Sequence, residues 1–159
     1  MKPEDHSRRQ VELAIHQRAG TIDKLFRPLD SFIQVRKEAG EILQALRLDA
    51  LADRFPVELA YGEQRLVEIA LALALRPRVL LLDEPMAGVP AGERRIILDA
   101  LATLPTDLAI LMIEHDMGLV FSFASRIVVL ADGAVLADAT PEAIRENPMV
   151  RSIYLGAAA

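Results

Sequence analysis

No cysteine occurs in the chain, so neither a disulfide framework nor a thiolate metal site is open to it, a composition that suits a reducing cytoplasm. Tryptophan is absent as well and aromatics make up only 4% of residues, which leaves no stacking platform for bases or sugars. Basic residues are outnumbered by acidic ones. A net charge of -5 argues against a nucleic-acid binder held by a basic face, because such binding draws on phosphate neutralisation. Long apolar runs are missing too: "LAILMI", Leu108 to Ile113, is far too short to span a bilayer. The opening "MKPEDHSRRQ" lacks the apolar core of a signal peptide. Neither an internal repeat nor a low-complexity linker breaks the chain.

What is present is 159 residues with 52% apolar content, enough to bury one domain-sized core. The part up to about Phe55 reads as helical. "SRRQVELAIHQRAG" carries Val11, Ala14 and Ile15 at helical spacing and stops at Gly20. "SFIQVRKEAGEILQALRLDALADRF" starts at a cap-type residue, Ser31, and sets Val35, Ala39, Ile42, Leu43 and Leu46 on one face. "YGEQRLVEIALALALRP" is apolar nearly all round from Leu66 to Leu75 and is stopped by Pro77, the pattern of a helix buried on most sides. His6 and His16 read as solvated helix residues.

From Val79 the texture changes. "VLLLD" reads as a buried strand, "AGERRIILDALATLP" as a helix, "LAILMIEH" as a second buried strand and "MGLVFSFAS" as a helix. "RIVVLADGAVLADA" reads as a hairpin turning on Asp132-Gly133, and "TPEAIREN" as a short helix capped by Thr140 with Pro141 in its first turn. Strand-helix-strand order implies a parallel sheet with helices on its faces.

Ligands of such sheets gather at the carboxyl ends of the strands. Two strands end there in suitable groups: Asp83-Glu84 after the first, Glu114-His115-Asp116 after the second. An Asp can hold a Mg²⁺ water, a neighbouring Glu can take a proton from an attacking water, and a His can contact a transferring phosphoryl group. That set fits phosphoanhydride hydrolysis, although a bare apolar run ending in Asp-Glu equally fits caps and turns. The Gly-bearing turn "LAYGEQ" placed at a helix start offers free N–H groups and the positive end of the helix dipole to an anion, or else is an ordinary glycine cap.

Together and in this order, these residues resemble the ATP-binding subunits of ABC transporters from about Val11 to Gly156. "LAYGEQ" stands where that family has its signature motif, "VLLLDEP" its Walker B strand and catalytic glutamate, "MAGV" its D-loop and "IEHDM" its switch histidine. The wording looks most like the branched-chain amino acid (Liv-type) uptake subgroup. The resemblance implies part of a P-loop NTPase (RecA-like) α/β fold, a parallel sheet with helices on both faces, plus an ABC-type helical subdomain. Residues 1–60 would be that subdomain, its first ten residues a non-native or disordered start, and 61–159 the C-terminal half of the nucleotide-binding core.

The same resemblance implies ATP and Mg²⁺. Asp83 would order Mg²⁺ through water, Glu84 would polarise the attacking water, and His115 would contact the γ-phosphate. Leu59, Ala60, Tyr61, Gly62, Glu63 and Gln64 would bind the phosphate of a partner subunit's ATP, with Met86, Ala87, Gly88 and Val89 as the D-loop. The partners implied are a second ATPase subunit, in a homo- or heterodimer, and a membrane permease met through the helical subdomain, at the inner face of the cell membrane.

One departure is large. No G-x-x-x-x-G-K-[ST] occurs, and the lysines Lys2, Lys24 and Lys37 follow no glycine-rich turn, so the loop that cradles the β- and γ-phosphates is absent from the sequence. The expectation is a C-terminal portion of an importer's ATPase subunit that neither binds nor hydrolyses ATP alone, whose strand "LAILMIEH" is left as an open edge. The alternative is a non-hydrolytic module that complements an intact subunit. A third reading, an ABC-type ATPase of DNA repair or the ribosome, fits the acidic charge less well. Ala60 in place of the general signature's Ser is a subgroup mark, and Pro90 stands where Asn or Asp usually follows the D-loop.

Overall fold

Helix α1 (Ser7–Arg18) has no side-chain cap at its start, and the free N–H groups there are satisfied from afar instead. Ser7 N–H and Oγ donate to the Arg54 carbonyl at 3.0 and 3.1 Å, and Arg8 N–H donates to that of Ala52 at 2.9 Å. The helix ends as the sequence indicates, with Gly20 in the left-handed region at φ 61°. The computed structural model describes residues 6–20 and 29–155. The stretches around Lys2 and Lys24, and Gly156, lie outside the described residues.

Helix α2 (Leu29–Ala45) begins ahead of Ser31. Cap-type residues at Asp30 and Ser31 define such a start only to within part of a turn, which explains the shift. Its buried residues Ala39 and Leu43, with Leu46 just past its end, follow the expected face, and Val35 and Ile42 are half-buried at its margin. Short 3₁₀ turns at Asp49–Leu51 and Pro56–Glu58 lead into α3 (Tyr61–Ala74). Helix α1 packs against both α2 and α3. Two neighbours widen its buried stripe from Val11 and Ile15 to Glu12 and His16, so His16, expected in solvent, is 8% exposed. His6 stacks on the Phe55 ring at 4.3 Å.

Strand β1 (Val79–Asp83), helix α4 (Ala91–Leu101) and strand β2 (Ala109–Ile113) follow. The strands form a two-stranded sheet, parallel as the helical crossover requires. A continuous apolar run is what a strand covered on both faces carries. Here Leu80 and Leu82 are buried, whereas Val79 and Leu81 are 52% and 69% exposed, so β1 is covered on one face. Helix α4 packs on α3 and buries Ile97, Leu98 and Leu101.

The chain divides at Met112 and Ile113 into two units. In the second, α5 (Met117–Phe123) precedes an antiparallel ribbon of β3 (Ile127–Ala131) and β4 (Ala134–Ala139). The two-residue connection has φ 49° at Asp132 and 76° at Gly133, the left-handed pair that matches the twist of a tight hairpin. Next come α6 (Pro141–Glu146), whose N-cap is Thr140 as expected, and α7 (Pro148–Val150), capped by the Asn147 carboxamide. Ile127, Val129, Ile144 and Val150 form this unit's core, with Phe121 and Leu136 packed against it.

Candidate functional site

The turn Leu59–Gln64 is built by the entry into α3. Leu59 is buried and anchors it, Ala60 is extended at φ -60°, ψ 155°, and Tyr61 begins the helix. Ala60 has no side-chain oxygen, so only the reverse half of a capping box forms: its N–H donates to Glu63 Oε2 at 2.8 Å. Gln64 Nε2 closes the turn by donating to the Leu59 carbonyl at 3.0 Å. Gly62 is buried. Its N–H donates to Glu93 Oε2 at 2.8 Å, across thirty-one residues of chain.

Glu93 lies in the first turn of α4, directly after the loop that leaves β1. In that loop Asp83 and Glu84 are exposed at the strand end, and Glu84 has φ 43°, a left-handed value that costs a side-chain-bearing residue about 1–2 kcal/mol. Its carbonyl accepts from Ala87 N–H at 2.9 Å, and that of Met86 from Val89 N–H at 3.1 Å. Met86 and Val89 are buried pins, both 2% exposed, while Gly88 is turned outward at φ 74°. A Cβ on Gly88 would lie 3.4 Å from the Tyr61 ring. The turn Leu59–Gln64 is therefore tied to the start of α4 by the Gly62–Glu93 bond, and the Tyr61 ring fills the space that a side chain at Gly88 would need.

Arg65, one turn into α3, sits 5.4 Å over the Tyr61 ring and donates to Glu68 Oε2 at 2.7 Å. The bond from Glu68 raises the guanidinium's pKa further, so its charge is fixed at any working pH. Arg65, Glu68, Ile69, Leu81, Asp83 and Pro85 line a hollow of about 230 Å³ between α3 and β1. His115 belongs to the second unit, exposed between β2 and α5, where the Asp116 carboxylate caps α5 through Gly118 N–H at 3.0 Å and Leu119 N–H at 3.2 Å. Glu93 and Arg65 went unnoticed in the sequence. An acidic residue in a first helical turn reads as a favourable surface charge, and nothing local reveals a partner so distant in the chain.

Among the described residues no three His, Asp or Glu side chains converge to cage a metal. Asp83, exposed at its strand end, suits Mg²⁺, which is held by one or two carboxylates while the remaining positions go to water and substrate phosphate.

Solved structures share this arrangement of strands and helices. A putative metal-chelate type ABC transporter in an inward-facing conformation superposes with a TM-score of 0.75 at 20% identity, over 98% of this chain and 60% of that one, a likeness in fold. MJ1267, an ATP-binding cassette of an ABC transporter, superposes at 0.72 with 29% identity over 96% of this chain and 63% of that one. The fold is accordingly part of a P-loop NTPase, as the sequence implied. The family pattern described as ABC transporter matches residues 2–87, more than half of the chain, and the chain belongs to that family. It is 46% identical over 122 residues to the high-affinity branched-chain amino acid transport ATP-binding protein BraF of Pseudomonas aeruginosa, and 43% identical over 118 residues to LivG of Escherichia coli. These alignments take in 76% and 73% of this chain but 48% and 46% of the relatives, so it spans about half their length.

Proposed function

We propose that the chain is the C-terminal portion of the ATP-hydrolysing subunit of an ABC importer for branched-chain amino acids or similar solutes. The observation that carries this reading is the bond from Gly62 N–H to Glu93, which ties the turn Leu59–Gln64 to the start of α4 directly after the Asp83–Val89 loop. Residues 1–60 are the helical subdomain that meets the permease, and 61–159 contribute half of the nucleotide core, at the inner face of the membrane. A second ATPase subunit, identical or not, completes each site.

Within it, the exposed Asp83 carboxylate holds a water of the Mg²⁺ that accompanies ATP. Glu84, fixed by its left-handed backbone, accepts hydrogen bonding from the attacking water and draws on its proton. His115 donates to the γ-phosphate. The α3 entry, Leu59 to Gln64, turns the positive end of its helix dipole to the phosphate of the partner's ATP. The loop Met86 to Val89 meets the partner through Ala87 and Gly88, with Met86 and Val89 anchoring it.

The chain's sequence has no phosphate cradle with its lysine. Loss of a single preorganised donor costs about 10² to 10³ in rate, so loss of the whole set removes hydrolysis by this chain alone. The purified chain is therefore expected to release no phosphate from ATP above a buffer blank; turnover by it alone would sink this reading. The missing motif also favours a second reading, a binding module that lends its signature turn to an intact subunit. Mapping the 5′ end of the transcript separates the two: an in-frame P-loop upstream supports the first, a ribosome site and stop the second.

A further inference from the structure

Gly62 N–H belongs to the turn proposed above to receive phosphate, yet it already serves an anion, the Glu93 carboxylate 2.8 Å away. Glu93 is half-buried and rooted in α4 immediately after the Met86–Val89 loop, and a Cβ on Gly62 would meet its Oε2 at 3.1 Å and its Cβ at 3.2 Å. One N–H cannot serve two anions at full strength, and two anions at that range repel. We propose that Glu93 is an internal stand-in for phosphate: it occupies the Gly62 amide, and the arriving phosphate displaces it. Displacement frees the first turn of α4, so the loop Met86–Val89 registers whether the signature turn is filled.

Charged residues nearby in sequence on α3 and α4 have partners of their own. Glu63 is committed to Ala60 N–H, Arg65 to Glu68 and the Tyr61 ring, and Arg94 Nε donates to the Val89 carbonyl at 3.0 Å, tying the same helix start to the loop. Glu93 is thus a positioning residue, holding the α3 entry against α4 until an anion of higher charge competes.

This inference rests on the phosphate-receiving reading of Leu59–Gln64, and the test keeps the two apart. Amide resonances of the ¹⁵N-labelled full chain are followed as inorganic phosphate is added at constant ionic strength, for the native protein, Glu93→Gln and Glu93→Ala. The Gln variant keeps the acceptor and drops the charge, so it controls for folding. The expected result is a Gly62 amide shift on phosphate addition, with about tenfold tighter phosphate binding in Glu93→Gln, the response to removing one nearby charge. In the native protein, Ala87 and Gly88 resonances move with the same midpoint as Gly62. Phosphate binding at Gly62 of equal strength in all three proteins overturns the stand-in role alone. Phosphate binding at Gly62 in none of them overturns the underlying reading, and the inference with it.

Discussion

Gly62 is a glycine for reasons of space, not of backbone angle. Its φ lies outside the left-handed region, but the room a Cβ would need is taken by Glu93. Gly62→Ala is expected to cost about 1 kcal/mol net, overpacking outweighing alanine's better helix propensity. In a double-mutant cycle with Glu93→Gly, urea unfolding should show a coupling of at least about 0.5 kcal/mol; additivity would mean that the contact is not what demands glycine. Arg47 presents the opposite case. It follows α2 with φ 58°, while Leu48 N–H closes the helix end on the Leu43 carbonyl at 2.7 Å, a place where glycine is the usual occupant. Arg47→Gly should raise stability by about 1 kcal/mol, read as a higher melting temperature. Strain of this kind is hard to see in sequence. Asp132-Gly133 announced its left-handed turn through residue type, whereas Arg47, Arg76 and Glu84 adopt left-handed values at element ends with residue types that do not announce them.

At the scale of elements, helix and strand positions were legible because periodicity survives any environment. Burial was less so, since α1 carries a wider buried stripe than its apolar residues mark and β1 a narrower one. The joint between α1, α2 and the end of α3 shows why charged residues mislead such readings. Arg18 makes a bidentate pair with Glu38 at 2.7 and 2.9 Å and donates to the Ala74 carbonyl at 2.6 Å, while Arg76 Nε reaches Glu38 Oε1 at 2.9 Å. Glu38 is 20% exposed and Arg18 23%, so this is a partly buried clamp and not a surface pair. The Arg18 hydrogen bonds, and then Arg76, hold the Glu38 pKa below the usual carboxylate value. A depressed folded-state pKa contributes stability above the unfolded value of about 4.3, and that contribution is lost as pH falls through the folded one. Glu38→Gln should therefore destabilise by about 2 kcal/mol at pH 7, and the gap between native and variant should close on acidification below about pH 4. A gap as wide in acid as at pH 7 would show that shape, not charge, holds the joint.

For the whole molecule, the candidate residues most legible in the sequence are those with local motifs, Asp83-Glu84 and Leu59–Gln64. What stayed hidden is the Gly62–Glu93 bond, a contact of tertiary structure between the turn and the start of α4. The same view explains the open apolar surface. A sheet gains independent stability from three or more strands with a covered face, and β1–β2 has two strands, with Leu80 and Leu82 buried while Val79, Leu81 and Leu111 are 52%, 69% and 57% exposed. Exposed apolar side chains on unpaired strands favour association between copies. The isolated chain is expected to self-associate with rising concentration. Leu81→Lys with Leu111→Lys should hold it monomeric in sedimentation velocity while changing unfolding free energy by no more than about 0.5 kcal/mol, the usual bound for exposed positions. Equal association by the double variant would move the sticky surface off this sheet, whereas a monomer that keeps its phosphate response at Gly62 would show that β1 and β2 carry the surface and the α3 entry acts independently of it.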